Sequence, residues 1–319
     1  MINFIRLTRP INLIIIGLTA YGTGWYFEDL FKNSSRFGVQ SLPFFLLVLS
    51  TILIAAAGNI INDYFDVRAD RINKPHKLII GKHVKRRVAI ITHWGMNVVA
   101  FGIAIYLSWI FETFWYLFIH LLSINVLWLY SSYFKRKFMI GNIMIASLTG
   151  MVPLLVGFYF FHHPELNLHD EITGNIIYPF QGVYGRSYIA FISMGLAFFA
   201  FILNFAREIV KDIEDVEGDK KLRAKTVPIA IGVRNAKLIT YFLLMAALFG
   251  VMIVVMVFPA TLAGIHTILI AALFTLVAIA LLIQAQDRKG YVRVNTCIKI
   301  AMIAGTLSPI YWKLLLIYG

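Results

Sequence analysis

Cysteine is nearly absent from this chain: Cys297 is the only one, and it lies inside an apolar run. A single thiol forms no disulfide within one chain and no CxxC metal pair, so neither a disulfide framework nor a cysteine-ligated metal holds this fold. Charge is scarce as well. Only 14% of the residues are charged and 60% are hydrophobic, where soluble domains carry about 25% and about 45–50%. That balance excludes a soluble globular domain and points to an integral membrane protein. Negative charge is scarcest of all, with 16 acidic residues against 29 basic ones and a net charge of +13. Excess basic charge can mark a nucleic-acid binder. Here the basic residues lie in short segments between apolar runs, which is the pattern of membrane topology, so no nucleic-acid partner is expected. The stretch from Met1 to Pro10 is too short and too basic for a cleavable signal and reads as a lead-in to the first span.

Apolar sequence is what the chain has in abundance. Nine runs approach the roughly 20 residues that a spanning helix needs: Pro10–Phe27, Leu42–Ile61, Val88–Ile110, Thr113–Tyr133, Phe138–Phe161, Tyr188–Phe205, Ala236–Phe258, Thr261–Ile283 and Thr296–Tyr318. The expected fold is all-α, a polytopic bundle of about nine transmembrane helices forming one domain over residues 1–319. With the N-terminus placed in the cytoplasm, 25 of the 29 basic residues fall on that side, leaving Lys32, Arg36, Arg186 and Lys313 outside. That asymmetry sets the expected orientation. Long cytoplasmic connections follow the second and sixth runs. The long outer connection, His162 to Ser187, contains Pro164, Gly174, Pro179, Gly182 and Gly185 and reads as a loop.

The few acids are not scattered. Three lie between Asn62 and Asp70 and six between Arg207 and Lys220, so nine of the 16 sit in two stretches, each closing an apolar run. Aspartates recur at the same offsets, as Asp63, Asp66, Asp70 and as Asp212, Asp215, Asp219. Steps of three and four put side chains on one face of a helix. Carboxylates crowded on one face repel, so a cation belongs between them, and hard divalent ions prefer oxygen ligands. Two such clusters on facing helix ends would hold two or three Mg²⁺ ions, and these would bind a diphosphate through its oxygens. A diphosphate with its charge neutralised leaves readily. With an apolar, aromatic-lined cavity below it, the natural substrate is a prenyl diphosphate whose allylic cation is stabilised by aromatic faces. Tyr64, Phe65, Tyr130 and Phe205 are the nearest aromatic candidates. An ion-coupled transporter is the alternative of another class, but transporters place their charges mid-span in broken helices. A CDP-alcohol phosphotransferase would need one continuous aspartate motif with Gly and Ala-Arg, which this chain lacks.

Five segments carry a family likeness. They are Arg9-Pro10-x-Asn12; Asn62, Asp66 and Asp70 at four-residue steps; Asn73-Lys74-Pro75; Tyr130-Ser131 with Lys135; and Asp215 with Asp219. Together they resemble the UbiA superfamily of intramembrane prenyltransferases over nearly the whole chain. The resemblance implies an all-helical bundle, Mg²⁺ dependence, and prenyl transfer from a diphosphate to a lipid-soluble acceptor among membrane lipids. It implies that Asn62, Asp66, Asp70, Asp215 and Asp219 bind Mg²⁺, the four aspartates forming the catalytic centre, with Asp63 and Asp212 extending the clusters. Lys77, Lys211, Lys225, Tyr130, Ser131 and Lys135 become candidate phosphate contacts. One departure follows Pro75, where His76-Lys77-Leu78-Ile79-Ile80-Gly81 replaces an arginine-containing run. Lys77 there offers a point charge where arginine offers a fork. The run Lys211–Lys220, followed by Ala224–Ile229, is similar to the digeranylgeranylglyceryl phosphate synthase branch. That implies geranylgeranyl diphosphate as donor, geranylgeranylglycerol phosphate as acceptor, and a bacterial or archaeal cell membrane. An aromatic acceptor of quinone biosynthesis (4-hydroxybenzoate, dihydroxynaphthoate or homogentisate) is the alternative. Elsewhere, His162, His163 and His169 in the outer loop are not expected to form a functional metal site. His120 and His266 read as packing residues. Gly141, Asn142 and Gly150 read as close-packing positions, and Asn204 either faces the cavity or bonds a neighbouring helix.

Overall fold

The computed structural model describes residues 2–28, 37–73, 78–161, 185–257 and 262–318. Lys77 and most of the expected outer loop, including its three histidines, lie outside the described residues, and of Asp70 only the backbone is described. A bilayer core offers the backbone no water, so an apolar run must satisfy its own N–H and C=O groups within a helix. The chain accordingly folds as α1 (Ile2–Leu7), α2 (Pro10–Glu28), α3 (Leu42–Asn73), α4 (Arg86–Ile110), α5 (Trp115–Ser132), a 3₁₀ turn (Phe134–Arg136), α6 (Ile140–Phe161), α7 (Gly185–Glu214), α8 (Val216–Lys221), α9 (Val227–Ile231), α10 (Val233–Val257), α11 (Leu262–Gln284) and α12 (Arg288–Tyr318). No strand forms among the described residues.

Each of the nine apolar runs becomes a long helix. By length and apolarity, seven of these could cross a membrane among the described residues: α3, α4, α6, α7, α10, α11 and α12. The expected count of about nine therefore includes two marginal members. Helices α2 and α5 have 19 and 18 residues. Both turn polar groups, Asn12 and Thr19 on α2 and His120 and Ser123 on α5, toward an internal cavity.

Helix α7 is the centre of the bundle, packing against α6, α10 and α12, while α2 fits between α12, α6 and α3. Close approach requires small residues where helices cross. A Cβ on Gly150 would lie 2.9 Å from the Ala197 carbonyl, so α6 and α7 meet backbone to backbone there. Aromatic packing closes one end of the bundle, with Tyr26, Phe27, Phe44, Tyr159, Phe160 and Trp312 in one buried cluster. A second cluster, including Ile209, Val210, Ile213, Val227, Tyr291 and Val294, supports the other end. Outward faces carry exposed Ile11, Ile91, Trp109, Phe242 and Met256, as a surface meeting lipid does.

The two acidic stretches do not behave alike. Helix α3 runs on past its apolar portion to Asn73, so Asn62, Asp63, Asp66 and Asp70 share one helix as their spacing predicts. The second stretch breaks: α7 ends at Glu214, Asp215 is the hinge with φ −101° and ψ 9°, and Asp219 belongs to α8. Asp212, Asp215 and Asp219 thus do not share a continuous helical face. Helix dipoles supply a reason, because acids are disfavoured at a helix C-terminus and favoured at an N-terminus. Restarting the helix at Val216 places Glu217 and Asp219 in a first turn.

Candidate active site

The break at Asp215 swings α8 against the end of α3, and the two carboxylate groups converge. Asp219 lies within electrostatic range of both Asp215 and Asp66. Burial, and then the neighbouring Asp215 charge, push the Asp219 carboxyl up to about 6. Asp63, Asp66, Asp212 and Asp215 each have a partner. Asp66 is buried and ion-paired to Lys135, whose ammonium also donates to Asn62 Oδ1 at 3.1 Å. Asn62 Nδ2 in turn donates to Asp66 Oδ2 at 2.9 Å. Burial opposes the Lys135 charge, but Asp66 more than offsets it and holds the ammonium above the ordinary lysine range. Asp63 accepts from Arg9 at 2.6 Å. Arg9 stands between α1 and α2 with φ +53°, a left-handed conformation that a non-glycine residue adopts at some cost. Asp215 meets Arg288 at the start of α12, 3.5 Å away. Asp212 has left this group and accepts from Asn142 Nδ2 at 2.8 Å on α6.

Lys135 is positioned by the turn after α5. That turn sits directly on the start of α6, where a Cβ on Gly141 would come within 2.8 Å of the Phe134 carbonyl and 3.1 Å of Lys135 Cα. The Lys225 N–H then donates to the Arg136 carbonyl at 2.9 Å, tying the segment after α8 to the same turn. The Lys225 side chain itself is exposed.

These residues fit a divalent cation that arrives with its ligand. Among the described residues, no three His, Cys, Asp or Glu side chains form a closed metal cage. Mg²⁺ is commonly held by one or two carboxylates, completed by phosphate oxygens and water. Asp66, Asp215 and Asp219 provide hard oxygen donors from two facing elements, and burial, together with the Asp215 and Asp66 charges, raises the proton affinity of Asp219. Asn62, Asp66, Asp215 and Asp219 would hold such an ion.

Below the carboxylates lies a cavity of about 1110 Å³. Asn62, which bonds Asp66, lines it together with Arg9, Tyr130 and the α7 residues Arg207, Glu208 and Lys211, and apolar side chains from α2, α3, α5, α6, α7, α10, α11 and α12 line the rest down to Trp312. Of the four aromatic candidates only Tyr130 lines it. Tyr64 instead lies under the Arg86 guanidinium, Phe65 packs on Trp128, and Phe205 packs on Phe201. The aromatic lining comes from Tyr130, Phe191, Phe199 and Trp312. Ser131, next in sequence to Tyr130, is buried. His120 is buried, bonds Ser50 and borders the cavity, whereas His266 is exposed and bonds Tyr311. Asn204 does both things expected of it, lining the cavity and donating to Thr149 Oγ1 at 2.7 Å. Sequence reasoning passed over Arg207, Glu208, Arg288 and Lys299. The one signal among them was Lys299, a charge inside the last apolar run.

The chain matches the model of the UbiA prenyltransferase family over residues 33–303. It is 30% identical over 310 residues to the digeranylgeranylglyceryl phosphate synthase of Thermococcus kodakarensis, covering 96% of this chain and 95% of that one. A solved structure concerning digeranylgeranylglyceryl phosphate synthase in membranes superposes with a TM-score of 0.67 at 24% identity, covering 98% of each chain. A UbiA homolog from Archaeoglobus fulgidus, bound to DMAPP and Mg²⁺, superposes with a TM-score of 0.59 at 17% identity, covering 97% of this chain and 99% of that one. These structural likenesses establish the fold, and the match over most of the length establishes the lineage: this chain belongs to the UbiA prenyltransferase family.

Proposed function

We propose that this enzyme uses Mg²⁺ and geranylgeranyl diphosphate to prenylate the free hydroxyl of geranylgeranylglycerol phosphate, within the membrane and with its carboxylate end facing the cytoplasm. The observation that carries the reading is one long apolar cavity that reaches the carboxylates at Asn62, the hydrogen-bond partner of Asp66. A polar head at Asn62 and Tyr130 and a tail running to Trp312 match an amphiphile that is ionic at one end and hydrocarbon for the rest. The named relative acts on a substrate of that kind.

In this reading the diphosphate sits between Asn62, Asp66 and Asp70 on α3 and Asp215 and Asp219 across the cleft. Lys135 and Arg9 are placed to shift from carboxylate to phosphate oxygen, since both are charge-assisted donors. Mg²⁺ held by Asn62, Asp66, Asp215 and Asp219 would neutralise the diphosphate and so make it a better leaving group. The acceptor oxygen bonds to the allylic carbon while that carbon's bond to the diphosphate oxygen breaks. The bonding pair departs with the diphosphate, and the hydroxyl proton passes to an oxygen base at the carboxylate end. Tyr130 faces the developing allylic charge from the cavity wall.

The test is prenyl transfer by the purified protein in detergent. It uses labelled geranylgeranyl diphosphate, Mg²⁺, and a panel of geranylgeranylglycerol phosphate, 4-hydroxybenzoate, dihydroxynaphthoate and homogentisate. Product from the phosphate acceptor alone, lost with EDTA and in Asp66→Ala and Asp215→Ala, is the expected result. Product from an aromatic acceptor in its place would overturn the acceptor assignment.

A further inference from the structure

The cavity lining carries more positive charge than its one carboxylate, Glu208, offsets. Arg207 and Lys211, one turn apart on α7, both bond Glu208, at 2.8 and 3.0 Å. Arg207 is also held by the Asn204 side-chain oxygen at 3.0 Å. Its Nε is buried and has no hydrogen-bond partner among the described residues. A buried N–H in that condition calls for an acceptor atom. Lys299 lines the same cavity from α12, within electrostatic range of Arg207, Lys211 and Glu208, and makes no ion pair among the described residues. Three cations thus surround one carboxylate, in a low-dielectric setting where uncompensated charge is costly.

This group adjoins the metal-binding one on its cavity side, with Glu208 in electrostatic range of Lys135, the partner of Asp66. A helix rises about 1.5 Å per residue, so Lys211 and Arg207 lie roughly 6 and 12 Å further into the bundle than Asp215. Lys299 lies about 16 Å further in than Arg288, the residue that meets Asp215. What lies at this level is the reacting allylic carbon and the head of whatever attacks it. A glycerol phosphate acceptor has its phosphate within one or two carbons of its hydroxyl, which brings a second anion to this depth.

We infer that Arg207, Lys211 and Lys299, positioned by Glu208 and Asn204, form a subsite for the phosphate monoester of the acceptor, distinct from the diphosphate site. The inference rests on the acceptor reading above and makes these residues determinants of acceptor specificity.

The experiment uses the full-length protein in detergent with Mg²⁺, varying each substrate in turn for Lys299→Met, Arg207→Gln and Arg207→Lys. Charge-assisted hydrogen bonds of this kind change affinity by roughly ten-fold or more. Lys299→Met and Arg207→Gln should raise KM for geranylgeranylglycerol phosphate by that factor, while KM for geranylgeranyl diphosphate moves less than about two-fold. Discrimination against the dephosphorylated analogue, geranylgeranylglycerol, should shrink by the same factor, and Arg207→Lys should recover part of it. Lys299→Met places an apolar side chain in an apolar helix, so it carries the test if Arg207→Gln does not fold. Parallel rises in both KM values would assign the cations to the diphosphate and overturn the subsite. So would an unchanged acceptor KM, with the acceptor reading left standing. A wild-type enzyme that prenylates only an aromatic acceptor would overturn the acceptor reading, and the phosphate subsite with it.

Discussion

The Lys135 ammonium is ion-paired to Asp66, 69 residues earlier in the chain, and shares the same Asn62 that braces the carboxylate. One cation therefore holds a metal-binding carboxylate in place and stands ready for a phosphate. Replacing Lys135 with Met leaves Asp66 buried without its partner, an arrangement that costs on the order of 1–3 kcal/mol. Lys135→Met should lower the thermal midpoint by several degrees and raise KM for geranylgeranyl diphosphate about ten-fold. Differential scanning fluorimetry and initial rates read the two effects. An unchanged diphosphate KM would remove Lys135 from the phosphate site.

The Asp219 carboxyl, pushed up to about 6, makes metal binding pH-dependent. Metal must displace the proton, so the Mg²⁺ concentration giving half-maximal rate should rise as pH falls from 7.5 to 5.5. Stability of the metal-free protein should move the other way. The folded pKa lies above the ordinary carboxylate value near 4, so the folded state binds more protons between about pH 4 and 6. This group's destabilising effect is fully present above pH 6 and fades as pH falls toward 4. Asp219→Asn should raise the metal-free melting temperature at pH 7.5 but not at pH 4, while abolishing Mg²⁺-dependent product. Melting curves at both pH values, without metal, decide it.

Gly141 is the seat of the turn that holds Lys135. A Cβ there would press on the Phe134 carbonyl, Lys135 Cα and Tyr130 together. Gly141→Val should reduce product formation at least ten-fold through misplacement of Lys135 and Tyr130, since small displacements at a site have large rate effects. The melting temperature should fall by several degrees as well, because two of the three atoms the added Cβ meets are backbone. Retained activity would show that the turn accommodates the branch.

Gly195 lines the deep part of the cavity, and a Cβ on it would meet nothing within 4 Å. It lies twelve residues before Arg207 on α7, about 18 Å further from the carboxylates. Gly195→Phe should project a ring into the path of the tail without disturbing packing. Transfer from geranylgeranyl diphosphate should fall at least ten-fold while transfer from dimethylallyl diphosphate persists. Equal losses with both donors would place the tail elsewhere.

The amino-acid sequence by itself determined the membrane class, the helical fold and the two carboxylate groups. Apolar runs leave the backbone no partner but itself, so nine runs become nine long helices whatever their packing. A repeated aspartate spacing in a chain so poor in acids is visible without a structure. Tertiary structure decided the rest, because ion pairing across the bundle depends on helix rotation and depth. Lys135 meets Asp66, Arg9 meets Asp63 and Arg288 meets Asp215 across separations of 69, 54 and 73 residues. No local pattern specifies such partners. Rotation likewise chose Tyr130 over Tyr64, Phe65 and Phe205 for the cavity, since in a chain so rich in aromatics only the direction of a side chain separates lining from packing. The break at Asp215, which carries Asp219 toward Asp66, follows from packing and helix-end electrostatics, and the even spacing of the aspartates conceals it.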